Sequence, residues 1–320
     1  MWGATNPAPH STCQRSAGNV SRVLHVCVQR FSGFTPAGGS VGLAGVTSQR
    51  SKMPTHVEQM SRVYSEETWS VYDLLDRSLE PRGPDSLHDL AAEYLVPGAV
   101  ILDAGCRDAA DLIRLVRAHD ATGVGVDPVE IHVARAHAAV AAAELGARIE
   151  IVQGVMEELP YPDGHFDLVW CRDVVEQVDL LVPSLQGAAR VLKRDGRMVV
   201  YTVLITDLLA PQEFELLKCH MGNVSSNLVE RNVEEAFGSA GLAIEHKEVI
   251  GTEYKEYAEE RTQPGSRTLL RIARLRRLRG SIIESHGEDI YNHVEANLHW
   301  EAFQFLGKLL PTVYILRRDG

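Results

Sequence analysis

Between residues 99 and 204 the chain alternates short, continuously apolar runs with stretches of helical spacing, and this rhythm restricts the fold more than any other feature. The runs are "AVILD" (99–103), "GVGVD" (123–127), "RIEIV" (148–152), "FDLVW" (166–170) and "RMVVYTVL" (197–204). Helices are expected over 108–119, 129–145 and 180–194, with a loop at 154–165. A strand apolar on both faces has to be covered on both, so the pattern predicts a parallel sheet wrapped by helices. "LAIEHKEVI" (242–250) and "TVYILRR" (312–318) supply two late strands, and residues 251–311 between them have mostly helical character. Upstream, helical spacing from Ser61 to Leu79 breaks at "PRGP" (81–84). A second helix follows over "DSLHDLAAEYL", with Asp85 expected as its N-cap, and "PG" (97–98) turns the chain into the first strand.

The chain has 320 residues and is 45% hydrophobic, enough for a sizeable core. A net charge of −11 argues against nucleic-acid or acidic-membrane partners. No apolar run reaches the roughly 18 residues of a membrane span. The five cysteines, Cys13, Cys27, Cys106, Cys171 and Cys219, are scattered, which suggests neither a disulfide framework nor a zinc site and fits a reducing cytoplasm. The first acidic residue is Glu58. An acid-free, arginine-bearing leader has the composition of organelle transit peptides; the alternative is an upstream extension with Met53 as the start. On either reading residues 1–52 are expected to be a disordered extension and 53–320 the folded domain.

The first strand opens onto "VILDAGCRDAAD" (100–111), which has one glycine followed by an arginine. Ligands of open parallel sheets bind beyond the carboxyl ends of the strands. That gathers Asp103, Asp127, the 154–157 segment and Cys171–Asp173 around one crevice. A carboxylate ending the second strand can accept bonds from both hydroxyls of a ribose. A dinucleotide site would need GxGxxG with pyrophosphate on the helix N-terminus. This loop lacks that pattern and puts Asp108 where a phosphate would be repelled, so a nucleoside without phosphates suits it better. Asp127 is expected to face the crevice and not the core, so that the fold would tolerate its loss.

These stretches resemble class I S-adenosylmethionine-dependent methyltransferases of the ubiquinone-biosynthesis and natural-product small-molecule type. "VILDAGC" is similar to that family's first motif, "GVGVDP" to its ribose acid, "LPYPDGHFDLVWCRDVVEQV" to the segment around its fourth strand, and "AARVLKRDGRMVVYTVL" to the helix, turn and fifth strand. The resemblance runs from about Asp85 to Ile250, with "TVYILRR" as the reversed last strand. It implies an open, mostly parallel, seven-stranded Rossmann-like sheet with the last strand antiparallel, and a helical cap at 251–308. It implies S-adenosylmethionine as cofactor and methyl transfer to a small-molecule acceptor, at oxygen or nitrogen in preference to carbon. The alternative is a catalytically silent S-adenosylmethionine-binding protein used for interaction.

By position, the resemblance puts Asp103, Ala104 and Gly105 beneath the methionine part of the cofactor and Asp127 with Pro128 at the ribose. Val155 and Met156 would border the adenine, Cys171 and Arg172 would line the methionine part, and Tyr72 would close over the site. Ordinary core packing is the alternative for Val155, Met156 and Cys171. The chain departs from the family at Arg107 and Ala109, where glycines are common, and at Val155, which replaces an acid. The loop works as a binding loop if Arg107 takes an unstrained conformation.

Such a reaction requires no metal and no covalent nucleophile; a hydroxyl or protonated amine acceptor needs a base. Where some relatives carry a His pair, this chain has Glu176-Gln177. Glu176 is a base candidate if burial raises its pKa, or else it orders the loop. His220 and His299 are further candidates, each with a structural alternative. The cap opens with acidic "EYKEYAEE" and continues with basic "RTLLRIARLRRLR", in which Leu269, Ile272 and Leu275 would form one helical face. Its six arginines could bind an acidic substrate or phosphate, or form a solvated face paired with the preceding glutamates. Trp300, Phe303 and Phe305 suit either an acceptor pocket or packing of the cap on the sheet.

Overall fold

A computed structural model describes residues 55–319, in two compact units, 55–77 and 78–319. The expectations for residues 1–52 lie outside the described residues. In the first unit the single helix expected from Ser61 to Leu79 is two, α1 (His56–Val63) and α2 (Glu66–Leu75). Each has its own cap. Thr55 Oγ1 accepts from Glu58 N while Thr55 N donates to Glu58 Oε2, and Ser65 Oγ accepts from Thr68 N. A hydroxyl at Ser65 satisfying a first-turn amide begins a new helix where spacing alone would continue the old one.

The second unit starts with α3 (Asp85–Ala92) and proceeds through β1 (Val100–Ala104), α4 (Ala110–His119), β2 (Thr122–Asp127), α5 (Glu130–Ala142), β3 (Ile149–Gln153) and β4 (Phe166–Arg172). It continues with α6 (Leu181–Val191), β5 (Leu192–Ile205), α7 (Pro211–His220), α8 (Glu230–Ser239) and β6 (Leu242–Val249). The cap helices follow: α9 (Glu253–Thr262), α10 (Pro264–Arg277), α11 (Arg279–His286) and α12 (Glu288–Phe305). β7 (Leu309–Arg318) closes the chain. Asp85 is not the cap of α3; Pro84 holds that place, and the Asp85 carboxylate accepts from Arg114. The helices α7 and α8 add to those expected from the sequence.

The strands form one sheet in the order β3-β2-β1-β4-β5-β7-β6. β1 to β5 are parallel, and β7 runs antiparallel to both β5 and β6. Alternate residues of each strand serve opposite faces. Ile101, Trp170, Val199 and Tyr201 join Leu87 of α3, Leu112 and Leu115 of α4, and Trp300 and Phe303 of α12. Leu102, Val169, Val200 and Tyr314 join Leu185 and Ala188 of α6 and Val233 and Phe237 of α8. Strand order reverses between β1 and β4, which opens the crevice beyond their carboxyl ends. In the cap, α10 buries Gly265, Thr268, Ile272 and Leu275 and leaves Leu269 63% exposed, so the expected leucine face is shifted by one residue.

One close approach fixes the far wall of that crevice. A Cβ on Gly187 of α6 would lie 2.0 Å from the carbonyl oxygen of Met156, in the single 3-10 turn Met156–Glu158 after β3. The neighbour is backbone and cannot swing aside. Gly187→Ala is therefore expected to lower stability by about 1–3 kcal/mol, the usual range for an overpacked core. Urea melts of the two proteins check this, and equal midpoints would show that the turn yields freely.

Candidate active site at the sheet switch point

β1 ends in Asp103 and Ala104, and the loop that follows doubles back toward β2. Gly105 N and Cys106 N both donate to Val126 O, at 2.8 and 3.1 Å. Gly105 has φ +79°, and a Cβ there would lie 2.3 Å from Val174 Cγ2, so the position demands glycine twice over. Arg107 (φ +50°) and Ala109 (φ +59°) also occupy the left-handed region. The condition of an unstrained Arg107 is not met: the loop has the glycine conformation without the glycines, at a cost of roughly 1–2 kcal/mol per residue. Two bonds offset it: Arg107 N donates to Asp127 Oδ2 at 2.9 Å and Ala109 N to Cys106 O at 2.6 Å.

Asp127, at the end of β2, is 4% exposed and well engaged. Its Oδ2 accepts from Arg107 N, and its Oδ1 accepts from Val129 N at 2.9 Å and lies 3.1 Å from His132 Nδ1. The sequence expectation that this carboxylate serves a ligand and not the fold is thus corrected: it ties the β1 loop to the start of α5. A carboxylate has about four acceptor positions, so room for a hydroxyl remains. Pro128 next to it is exposed, Val155 is 40% exposed at the rim, and Met156 is buried under the turn.

A band of charge crosses the bottom of the crevice. Asp103 is 3% exposed; burial, reinforced by Asp111 and Asp127, pushes its carboxyl well above the usual range, with Arg172 opposing. Arg172, at the end of β4, donates to Asp111 at 3.2 Å, lies 3.5 Å from Asp173, and has its guanidinium 5.5 Å from the ring centre of Tyr201, its register partner on β5. His88 of α3 stacks on Trp170 with Nε2 3.0 Å from Asp111 Oδ1, near enough to act on its charge although not aligned as a hydrogen bond. Burial would raise Asp111, but His88 and then Arg172 bring it below the ordinary value. Cys106 and Cys171 are buried, and burial raises both thiols, so they remain protonated.

Glu176 is 2% exposed in the turn after β4. Thr202 Oγ1 donates to its carboxylate at 3.0 Å, and Val224 N donates to its backbone oxygen at 2.8 Å. Burial, with the negative charge of Asp173 next, pushes its carboxyl up to about 8. Of the other base candidates, His220 lies at the end of α7 and His299 in the cap helix α12. The His220 backbone oxygen accepts from His293 Nδ1 at 2.8 Å. His299 binds Glu295 O through Nδ1 at 2.7 Å and packs edge-on against Phe303. Trp300 and Phe303 belong to the core, and Phe305 lies against Gly265. Tyr72 stands 56% exposed on α2 in the first unit, and its expected place over the cofactor rests on the resemblance. Asp111, His88, His132 and Tyr201 were not foreseen as site residues. Of these Asp111 had a readable signal, an acid in the first turn of the helix that the β1 loop feeds.

The sheet order and the crevice define the class I methyltransferase fold. Residues 102–200 match a family described as a methyltransferase domain. The 27-O-demethylrifamycin SV methyltransferase of Amycolatopsis mediterranei is 32% identical over 108 residues, 34% of this chain and 40% of that protein. A ubiquinone biosynthesis O-methyltransferase of Xanthomonas campestris is 27% identical over 136 residues, 42% of this chain and 56% of that protein. The chain thus spans about half the length of these relatives. Among solved structures, the cyclase SpnF superimposes with a TM-score of 0.54 at 20% identity, covering 73% of this chain and 81% of that one, which shows a shared fold.

Asp127→Ala would leave Arg107 N and Val129 N without their acceptor. A fully buried unsatisfied donor costs about 1–3 kcal/mol, and these two bonds are part-buried, so a stability loss of about 1–3 kcal/mol in all is expected in ligand-free protein. Asp127→Asn, which keeps an oxygen for Val129 N, should lose less. Unfolding curves that rank the two equally with wild type would contradict the tether.

For Glu176 the sign follows from its raised carboxyl. Folding favours the neutral form, so the stability it contributes is complete below about 4.5 and is lost as pH rises through about 8. Glu176→Gln stays neutral throughout. Its melting temperature relative to wild type should climb between those limits and level off above them; an offset that does not vary with pH would mean the carboxyl titrates normally.

Proposed function

We propose that this chain transfers a methyl group from S-adenosylmethionine to a small-molecule acceptor, at oxygen or nitrogen. The observation that carries the reading is the convergence of Asp127, Asp103 and Arg172 at the switch point of the sheet, beside a loop that keeps its glycine-type conformation without a phosphate cradle. The methyltransferase names of the relatives support it.

The residues present fit the cofactor. The acceptor position left on Asp127 takes one ribose hydroxyl, and the second replaces His132, whose side chain is 32% exposed and able to turn out. Val155 offers an apolar rim for the adenine, and Met156 supports it from the core. Arg172 supplies positive charge for the cofactor's carboxylate. Asp103, whose carboxyl is pushed up by burial and then by Asp111 and Asp127, gains a charge partner when an ammonium group arrives beside it. S-adenosylmethionine brings an already activated methyl, so the protein's remaining task is to align an acceptor and exclude water. Glu176 is the proposed proton acceptor, because a carboxyl poised near neutral pH suits general-base work; His220 stands behind it as the second candidate. The setting proposed is cytoplasmic, with no nucleic-acid or membrane partner. Among the described residues no helix is long and apolar enough to cross a membrane, and Cys106 and Cys171 are buried thiols outside any disulfide.

Calorimetric titration should show S-adenosylhomocysteine binding to the wild-type protein. Incubation with a methyl-labelled donor and a metabolite extract should yield a labelled small product by mass spectrometry. The rate should rise with pH as Glu176 ionises through about 8, and Glu176→Gln should lose that limb. Absence of binding by both S-adenosylmethionine and S-adenosylhomocysteine would end the proposal. Binding without any labelled product would favour a silent binding protein.

A further inference from the structure

The cap contains a groove of about 620 Å³ between α10 and α12, lined by Thr262, Arg267, Thr268, Arg271, Asn297 and Glu301 among others. Its charge is unusual for an acidic chain. The sequence allowed the α10 arginines to pair with the glutamates before them, but those glutamates are taken. Glu253 is held by Arg82, Glu256 by Thr252, and Glu259 by Gly265 N and Ser266. Glu260 accepts from Ser78. Arg267, Arg271 and Arg274, spaced four and three apart on one helix stripe, have no carboxylate partner among the described residues. The carboxylate in the groove wall, Glu301, is paired with Lys255. The groove therefore presents guanidinium charge, with threonine hydroxyls and the Asn297 amide as further hydrogen-bonding groups.

We propose that this groove binds the anionic group of the methyl acceptor, a phosphate or diphosphate ester, across Arg267 and Arg271. The inference rests on the methyl-transfer reading above and names the substrate class for it. Guanidinium forks bind phosphate oxygens in pairs, and residues four apart on a helix stand about 6 Å apart along its axis, a span that suits two linked phosphates. An anion between the two cations also relieves their repulsion along the helix. Glu301 in the groove wall and its partner Lys255 both act on the charge of Asp173, beside Arg172 at the end of β4, so the groove lies within electrostatic range of the donor crevice. An acceptor anchored by its phosphates at Arg267 and Arg271 would extend its apolar or nucleophilic end toward Glu176.

The test uses the full chain and inorganic pyrophosphate as probe, titrated calorimetrically against a chloride control of equal ionic strength. Wild type should bind saturably. Arg267→Gln/Arg271→Gln should bind at least tenfold more weakly, while Arg231→Gln, on α8 and away from the groove, should bind as wild type does. S-adenosylhomocysteine affinity should be the same in all three proteins. No saturable binding by wild type, or equal binding by the double variant, overturns the proposal. So does retention on phosphatidylglycerol vesicles through the same two arginines without pyrophosphate binding, which would make the surface a membrane contact. If pyrophosphate behaves as expected but S-adenosylhomocysteine binds to none of the proteins, the anion site stands and the methyl-transfer reading falls.

Discussion

The three bonds on the Asp127 carboxylate hold the candidate site together. They join the loop after β1, the turn after β2 and the first turn of α5 at one buried anion. Without the bond from Arg107 N, nothing else recorded for that amide would compensate a left-handed arginine. The loop would be free to relax away from the conformation that glycines supply in similar proteins. A residue proposed to contact the ligand is here a structural tie. Protein donors and ligand hydroxyls would then share one carboxylate, and His132 is the protein donor best able to leave, because its ring is partly exposed while the two amides are fixed by the backbone.

This double duty shows where sequence reading succeeds. The strands from 99 to 204 were legible because the two faces of each strand enter different cores, so nearly every residue must be apolar and the run stands out. The acids were legible as strand ends because each closes an apolar run, but their burial, at 3% and 4% exposed, was not. The conformation of Arg107 was not legible, because its compensation comes from a side chain twenty residues on. Ser65 as a helix start was hidden inside a plausible helical spacing, and one capping bond was enough to break it. The face of α10 was misjudged at Leu269 because leucines mark apolarity, whereas the buried stripe passes through Gly265 and Thr268, where close packing and not hydrophobicity selects the residue.

The same molecule treats its ionisable groups in two ways, by burial without partners and by ion pairing. Asp103 and Glu176 are buried with few partners, so their carboxyls are pushed toward neutrality. Arg172, Asp111 and Asp173 remain as an interlocked charged set. Elsewhere, pairs such as Arg82 with Glu248 and Glu253 clamp the start of the unit to β6 and α9 in full ionic form. A site that receives a zwitterionic amino-acid moiety and a proton gains from the first arrangement. Groups already near their switching point change charge at little energetic expense when the ligand brings the complementary charge.

The arginines of α10 fit neither arrangement. Arg267, Arg271 and Arg274 are not buried, so desolvation does not account for them, and no carboxylate among the described residues pairs with them, so they do not serve as clamps. Their glutamate neighbours in sequence were satisfied by other groups: Glu259 caps the start of α10 itself through Gly265 N, and in space Glu301 of α12 is drawn to Lys255. The folding of the cap thus removes the counter-charges that the sequence places close by. It leaves cations along a groove whose wall reaches the electrostatic field of Asp173. Local charge balance in the sequence is therefore a poor guide to charge balance on the surface. The difference between the two arises where a carboxylate is used as a cap, and in this chain it shows on α10.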